Sequence, residues 1–242
     1  MVDSPAIDTD PLAGEPHTEG LNAKLNWVRA GVLGANDGIA SVAGIVIGVA
    51  GATTSRTSIL TAGVAGLVAG AVSMALGEYV SVSTQRDSEE EQLAQERREL
   101  AESPDEELLE LAAIYQAKGL SERTARTVAE ELTAHDALAA HIEAELKIDP
   151  DDLVSPRQAA LASAVAFVLG AVLPLLAITL PPVQARVAVT FVAAIVALGL
   201  FGAASARIGG APPRRSAVRM VIGGALGLAA TYGVGHLFGA IT

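Results

Sequence analysis

The chain has 242 residues, 51% of them hydrophobic and only 3% aromatic, with a mean hydropathy of +0.43 and a formal net charge of −11. Ala, Gly, Val and Leu carry that hydrophobicity, a mix that suits close-packed transmembrane helices better than a soluble core. The absence of cysteine excludes disulfides, thiolate metal sites and iron–sulfur clusters, and with no polybasic stretch or aromatic–basic interleaving, nucleic acid is not an expected partner.

Residues 1–24 are acidic and punctuated by Pro and Gly, with no basic segment leading into an apolar core. They read as a disordered tail rather than a cleaved signal. Five apolar stretches follow, each long enough for the roughly 20 residues that cross a bilayer as a helix. They run near Val28–Ala52, Ile59–Val82, Ala159–Leu180, Val187–Ala206 and Ala217–Ile241. Pro181-Pro182 and Pro212-Pro213 mark two of the turns between them, because a Pro-Pro pair cannot continue a helix. The chain is thus expected to divide into a tail (1–24), spans one and two (25–84), a polar helical insert (85–152) and spans three to five (153–242).

Lys and Arg set the expected orientation. Lys24, Arg29, Arg86, Arg97, Arg98, Arg157, Arg207, Arg214, Arg215 and Arg219 fall on one side, and only Arg56 and Arg186 on the other. The N-terminus and residues 85–152 are therefore expected in the cytoplasm and the C-terminus outside. The insert holds 20 acidic against 7 basic residues, which is most of the chain's charge. Its pattern predicts three helices. The first continues the second span from Gln85 to Ala101. The second starts at Ser103-Pro104, with Ser as cap and Pro in the first turn, and ends at Gly119. The third starts at Ser121, carries Val128, Leu132, Leu138, Ile142 and Leu146 as one apolar stripe, and stops at Asp149-Pro150.

Three glycine pairs at small-xxx-small spacing, Gly34/Gly38, Gly44/Gly48 and Gly66/Gly70, predict either a tight bundle or a dimer seam. The plain alternative is that Gly is common in transmembrane helices.

Only two acids, Asp37 and Glu78, lie within the apolar spans. A carboxylate in hydrocarbon costs at least a few kcal/mol and persists mainly where it serves a pathway or a proton relay. The competing reading for Asp37 is a polar kink satisfied by nearby backbone. Met74 precedes Glu78 by four residues and shares its face, a thioether–carboxylate pair that suits a transition ion better than Mg²⁺ or Ca²⁺. Taken alone, Met74 reads as packing. In the insert, Glu96/Glu99, Glu107/Glu110 and His141/Glu145 each share one helical face. Facing glutamate pairs repel unless cations or protons lie between them, and the competing reading is a solvated acidic surface. Glu-x-x-His pairs of the ferritin-like di-iron type are absent, as are serine-hydrolase elbows and phosphate-cradling loops. No enzymatic activity is expected. His135-Asp136 reads as a surface contact rather than a ligand pair.

Ala35-Asn36-Asp37-Gly38-Ile39, Ser73-Met74-Ala75-Leu76-Gly77-Glu78-Tyr79-Val80-Ser81, Pro104-Asp105-Glu106-Glu107-Leu108, Ile114-Tyr115-Gln116-Ala117-Lys118-Gly119-Leu120 and His135-Asp136-Ala137-Leu138-Ala139-Ala140-His141 together resemble the vacuolar iron transporter family. The resemblance covers nearly everything after residue 24. It implies an all-α membrane protein of five transmembrane helices, with a cytoplasmic metal-binding domain between the second and third. It also implies a homodimer with the path at its interface, exporting Fe²⁺ and often Mn²⁺ in exchange for protons. Asp37, Met74 and Glu78 match the family's path residues. Glu96, Glu99, Glu107, Glu110 and Glu145 match the glutamates of the metal-binding domain, and His141 stands where some relatives place methionine. The alanine-rich chain has the look of a bacterial member in the inner (plasma) membrane. Two other classes compete with transport of metal: a membrane-anchored metal buffer or sensor, and a proton-coupled porter for a small organic solute.

Overall fold

The computed structural model describes residues 21–147 and 154–241, with side chains described from residue 31 onward. Residues 1–20 of the expected tail and the helix stop at Asp149-Pro150 lie outside the described residues, whereas residues 21–24 of that tail are not irregular but form the first turn of a helix. Every regular element among them is helical: α1 (Leu21–Ala52), α2 (Arg56–Glu102), α3 (Pro104–Ala117), α4 (Glu122–His141) followed by a π turn (Ile142–Leu146), α5 (Pro156–Thr179), α6 (Arg186–Ile208) and α7 (Pro213–Ile241). Five of these, α1, α2, α5, α6 and α7, are long and apolar enough to cross a membrane.

Helix α1 is the axis of the bundle and packs against α5, α7, α2 and α6. One side of it, Ile39, Ala43 and Ile47, joins Ala194, Leu198 and Leu228 of α6 and α7. Val42 and Val46 join Ile59 of α2 and Phe167, Ala171 and Ile178 of α5. The glycine pairs explain how four helices crowd one. A Cβ at Gly38 would overlap the Phe167 carbonyl, and one at Gly235 would overlap the Gly48 carbonyl. Gly66 and Gly70 receive the side chains of Ile45 and Phe167. All three small-xxx-small pairs are thus used inside one chain, as helix contacts within the bundle.

Ser55 caps α2 by accepting a hydrogen bond from Ser58 N at 3.3 Å. At that end the arginines Arg56 and Arg186 are tied to backbone: Arg56 donates to the Thr179 carbonyl, and buried Arg186 donates to Thr54 O at 2.7 Å. Both carbonyls lie at helix ends or turns, where oxygens lack intrahelical partners.

The 47 residues of α2 extend about 70 Å, more than twice a hydrocarbon core of about 30 Å. As expected, the second apolar span and the first polar helix are one continuous rod. Ser103 ends it, its N–H donating to Glu99 O at 2.8 Å, and Pro104 opens α3. The chain reverses there, and again at Gly119, whose φ of +104° suits a residue without Cβ. Leu111, Ala112, Ala129, Ala140 and Ala144 form the small core between α3, α4 and the π turn.

The third polar helix departs from the single helix predicted from Ser121 to Leu146. Asp136 has φ −158° and ψ 99°, which breaks α4. Its side chain accepts from Ala139 N at 3.0 Å, so it starts the last segment as a cap. After His141 the backbone widens into the π turn, ended by Lys147 at φ 54°. Of the apolar stripe only Ile142 is buried, Val128, Leu132, Leu138 and Leu146 being half-buried, and the inward face is carried by Ala125, Ala129, Ala140 and His141; a stripe also carries no record of a local capping side chain.

Candidate metal centre

Three chain segments meet at His141. The break at Ser103 redirects the chain from α2 into α3, with Glu99 and Glu107 four residues on either side of it and Glu96 and Glu110 seven. Glu107 sits in the first turn of α3, where the helix dipole favours an anion, and His141 in the last turn of α4, where it favours a cation. The small side chains at 112, 129, 140 and 144 allow the approach. His141 Nδ1 lies 2.9 Å from Glu96 Oε1, 3.6 Å from Glu107 Oε2 and 3.8 Å from Glu145 Oε2. Glu96, Glu107 and His141 are all buried, at 3%, 7% and 0% exposure, and each offers a donor atom within 4.8 Å of the others'.

Burial of two carboxylates and an imidazole is expensive unless their polar atoms are paired. Here they are not. Glu96 Oε1 and both ring nitrogens of His141 are buried without a hydrogen-bond partner. The 2.9 Å approach of Nδ1 to Oε1 lacks the alignment that a hydrogen bond requires. Donor atoms that are close but not aimed at one another suit a shared cation. Carboxylate oxygen with imidazole nitrogen, and no thiolate, is a donor set for a divalent first-row metal.

The electrostatics agree with the geometry. Burial pushes the Glu96 carboxyl up to about 7, and the charges of Glu145, Glu107, Glu99 and Glu110 push in the same direction. Burial also raises Glu107, with Glu110, Glu99 and Glu145 adding to it and His141 opposing. Glu99, Glu110 and Glu145 thus act on both the Glu96 and the Glu107 carboxyl, and His141 acts on Glu107. Glu96, Glu107 and His141 form the buried heart, half-buried Glu99 lies beside it, and Glu110 and Glu145 lie toward solvent. His135 and Asp136 are both exposed, in line with a surface contact, and Asp136 serves as the helix cap.

The intramembrane residues are arranged differently. Asp37 is half-buried and accepts a hydrogen bond from Ser41 Oγ at 2.7 Å, one turn along α1. Met74 is half-buried and packs on the Val42–Val46–Phe167 cluster. Glu78 is half-buried one turn further on. α1 and α2 are antiparallel, with Gly63 against Val46 and Gly66 against Ile45. Eight residues beyond the Ile45–Gly66 contact on each helix, Asp37 and Met74 reach the same depth. No hydrogen bond or ion pair joins Asp37 to Glu78 among the described residues. Glu78 and Glu96 are 18 residues apart on the unbroken α2, which is five turns of 3.6 residues. They therefore share one face of the rod, about 27 Å apart along its axis.

Comparison with known proteins agrees with this architecture. The chain is 43% identical over 235 residues to a vacuolar iron transporter of Acanthamoeba castellanii, covering 96% of this chain and 84% of that protein. It is 42% identical over 218 residues to vacuolar iron transporter homolog 1 of Oryza sativa subsp. japonica, covering 90% and 76%. It is 35% identical over 218 residues to VIT-like transporter 1b of Glycine max, covering 90% and 78%. All three names describe transporters and none an enzyme. The VIT family profile matches residues 28–236, a stretch that takes in all five apolar helices and the polar insert, and this multi-pass membrane protein belongs to the VIT family.

Proposed function

We propose that the chain exports Fe²⁺, and also Mn²⁺, from the cytoplasm in exchange for protons. The observation that carries this reading is the buried Glu96–Glu107–His141 centre, with its unpartnered donor atoms, on the same rod as Met74 and Glu78. The names of the relatives supply iron as the cargo.

In this reading the acidic insert faces the cytoplasm and raises the local cation concentration by its field. The cation binds between the glutamate pairs and His141, which neutralises the repulsion among five carboxylates. It then enters the bundle at Glu78 and Met74 and passes to Asp37. Ser41 holds the Asp37 carboxylate in place while its other oxygen faces the route. Protons return through the same carboxylates, since one site does not hold a proton and a divalent cation together cheaply. Two copies meet so that their Asp37, Met74 and Glu78 line a shared path, which gives the half-buried carboxylates a wet environment. The membrane is the cell's plasma membrane (the inner membrane of a bacterium), with the N-terminus and residues 85–152 cytoplasmic and the C-terminus outside.

Proteoliposomes test the proposal. Fe²⁺ or Mn²⁺ flux is expected to follow an imposed pH gradient and to be abolished in Asp37→Ala and Glu78→Ala. Metal binding without flux in the unsubstituted protein would instead make it a membrane-anchored buffer. Flux that survives deletion of residues 86–150 would point to a porter with no need of the insert.

A further inference from the structure

The break in α4 at Asp136 lies five residues before His141, and it decides which way that imidazole faces. Ala125 and Ala129 are fully buried and define the inward side of the first part of α4. At 3.6 residues per turn, about 100° per residue, an unbroken helix would place His141 about 120° round from Ala129 and about 160° from Ala125. The ring would then point away from the inward side. The same unbroken helix would hold Asp136 about 20° from each of those alanines, turning its carboxylate inward. The fold has the opposite arrangement: Asp136 is exposed and His141 is fully buried.

The cause is local. Asp136 takes extended backbone, φ −158° and ψ 99°, and its side chain accepts from Ala139 N at 3.0 Å. A helical segment restarts there, as from an N-cap, with a rotation of its own. That rotation brings Ala140 and Ala144 into the core with Leu111, Ala112 and Ala129. His141 follows Ala140, and its Nδ1 comes within 2.9 Å of Glu96 Oε1 and 3.6 Å of Glu107 Oε2. The π turn, closed by Lys147 N donating to Ile142 O at 2.7 Å, leaves Glu145 Oε2 3.8 Å from the same nitrogen. Among the described residues no hydrogen bond or ion pair joins the Asp136 side chain to the centre, so its influence runs through the backbone between them. We infer that Asp136 is a positioning residue of the metal centre: its cap on Ala139 restarts the helix at the rotation that turns the His141 imidazole inward, as a nitrogen ligand for a divalent first-row cation. The inference rests on the reading of Glu96, Glu107 and His141 as a metal centre.

The test is pulsed electron paramagnetic resonance of Mn²⁺ bound to the full-length protein, which reads the coupling to a ligating imidazole nitrogen separately from carboxylate ligation. The intact protein is expected to show that coupling and His141→Ala to lose it. Asp136→Ala is expected to keep bound Mn²⁺ on the glutamates, with the nitrogen coupling largely lost. Its Mn²⁺ affinity is expected to fall about 10-fold, the lower end of what an outer-shell partner of a metal ligand is worth. Asp136→Asn keeps the acceptor and is expected to restore both. Ser121→Ala removes the cap at the other end of α4, where Ser121 Oγ accepts from Thr124 N at 3.3 Å. That variant is expected to destabilise the insert to a similar degree and leave the coupling intact. Full nitrogen coupling in Asp136→Ala, or an equal loss of it in Ser121→Ala, would overturn the positioning role alone. Absence of the coupling in the intact protein, or its survival in His141→Ala, would overturn the metal-centre reading of His141 and the positioning role with it.

Discussion

At the residue scale, the decisive facts are the exposures and unsatisfied atoms around His141. The sequence showed that Glu96, Glu99, Glu107, Glu110, His141 and Glu145 fall in helical pairs. It did not show which would be buried, because burial depends on how two chain reversals stack three helices. Spacing alone gave no weight to His141 as a ligand candidate; its two buried, unpartnered nitrogens support that reading. Truncating His141→Ala is expected to lower Mn²⁺ affinity by at least the 10- to 100-fold that loss of even an outer-shell partner costs, read by calorimetric titration.

The Glu96 carboxyl also gives a pH dependence with a fixed sign. Its ordinary value of 4.5 is raised to about 7 in the fold, so between these values the folded protein binds more protons than the unfolded. Its stabilising contribution in the metal-free protein is therefore complete below 4.5 and is lost as pH rises through 7. The melting temperature of the metal-free protein is expected to fall between pH 5 and pH 8, and Glu96→Gln is expected to flatten the slope. Metal binding shows the opposite trend, since the cation requires the ionised carboxylate. Mn²⁺ affinity is expected to fall as pH drops below about 7.

At the element scale, the continuity of α2 matters most. The helix-forming run from Gln85 made that continuity legible, while the break at Asp136 and the π turn were not. Both are responses to local hydrogen bonding that an apolar stripe does not encode. The unbroken α2 keeps Glu78 and Glu96 on one face. Ser88→Pro, at an exposed position between them, removes a helical hydrogen bond and kinks the rod at a cost of about 3 kcal/mol. The expected result is metal binding retained within the insert and transport reduced in proteoliposomes. Asp136→Ala removes the cap on the last segment of α4 and is expected to cost about 1 kcal/mol of stability, measured by denaturant unfolding. Asp136→Asn preserves the acceptor and should be nearly neutral.

At the scale of the whole molecule, the five apolar helices were readable from length and hydropathy, and the ends of α5, α6 and α7 came within four residues, while α1 starts at Leu21 and α2 runs on to Glu102. The glycine pairs announced close packing but not its partner, because a small-xxx-small pair fits any neighbouring backbone. In the structure they serve α1's contacts with α2, α5 and α7 and, at Gly70, the contact of α2 with α5. The orientation proposed from the arginines can be measured directly in a cysteine-free chain. Gln184→Cys, in the α5–α6 connection, is expected to react with a membrane-impermeant thiol reagent in intact cells. Gln116→Cys, in α3, is expected to react only after permeabilisation. The reverse pattern would invert the direction of transport.

The centre around His141 recruits three separate stretches of polypeptide, and its acidic members push on one another. Under the proposed function, an ion seated among them would act as a removable rivet. Added protease is then expected to cut the metal-free insert faster than the Mn²⁺-loaded one, so that scarcity of cargo would shorten the life of the protein.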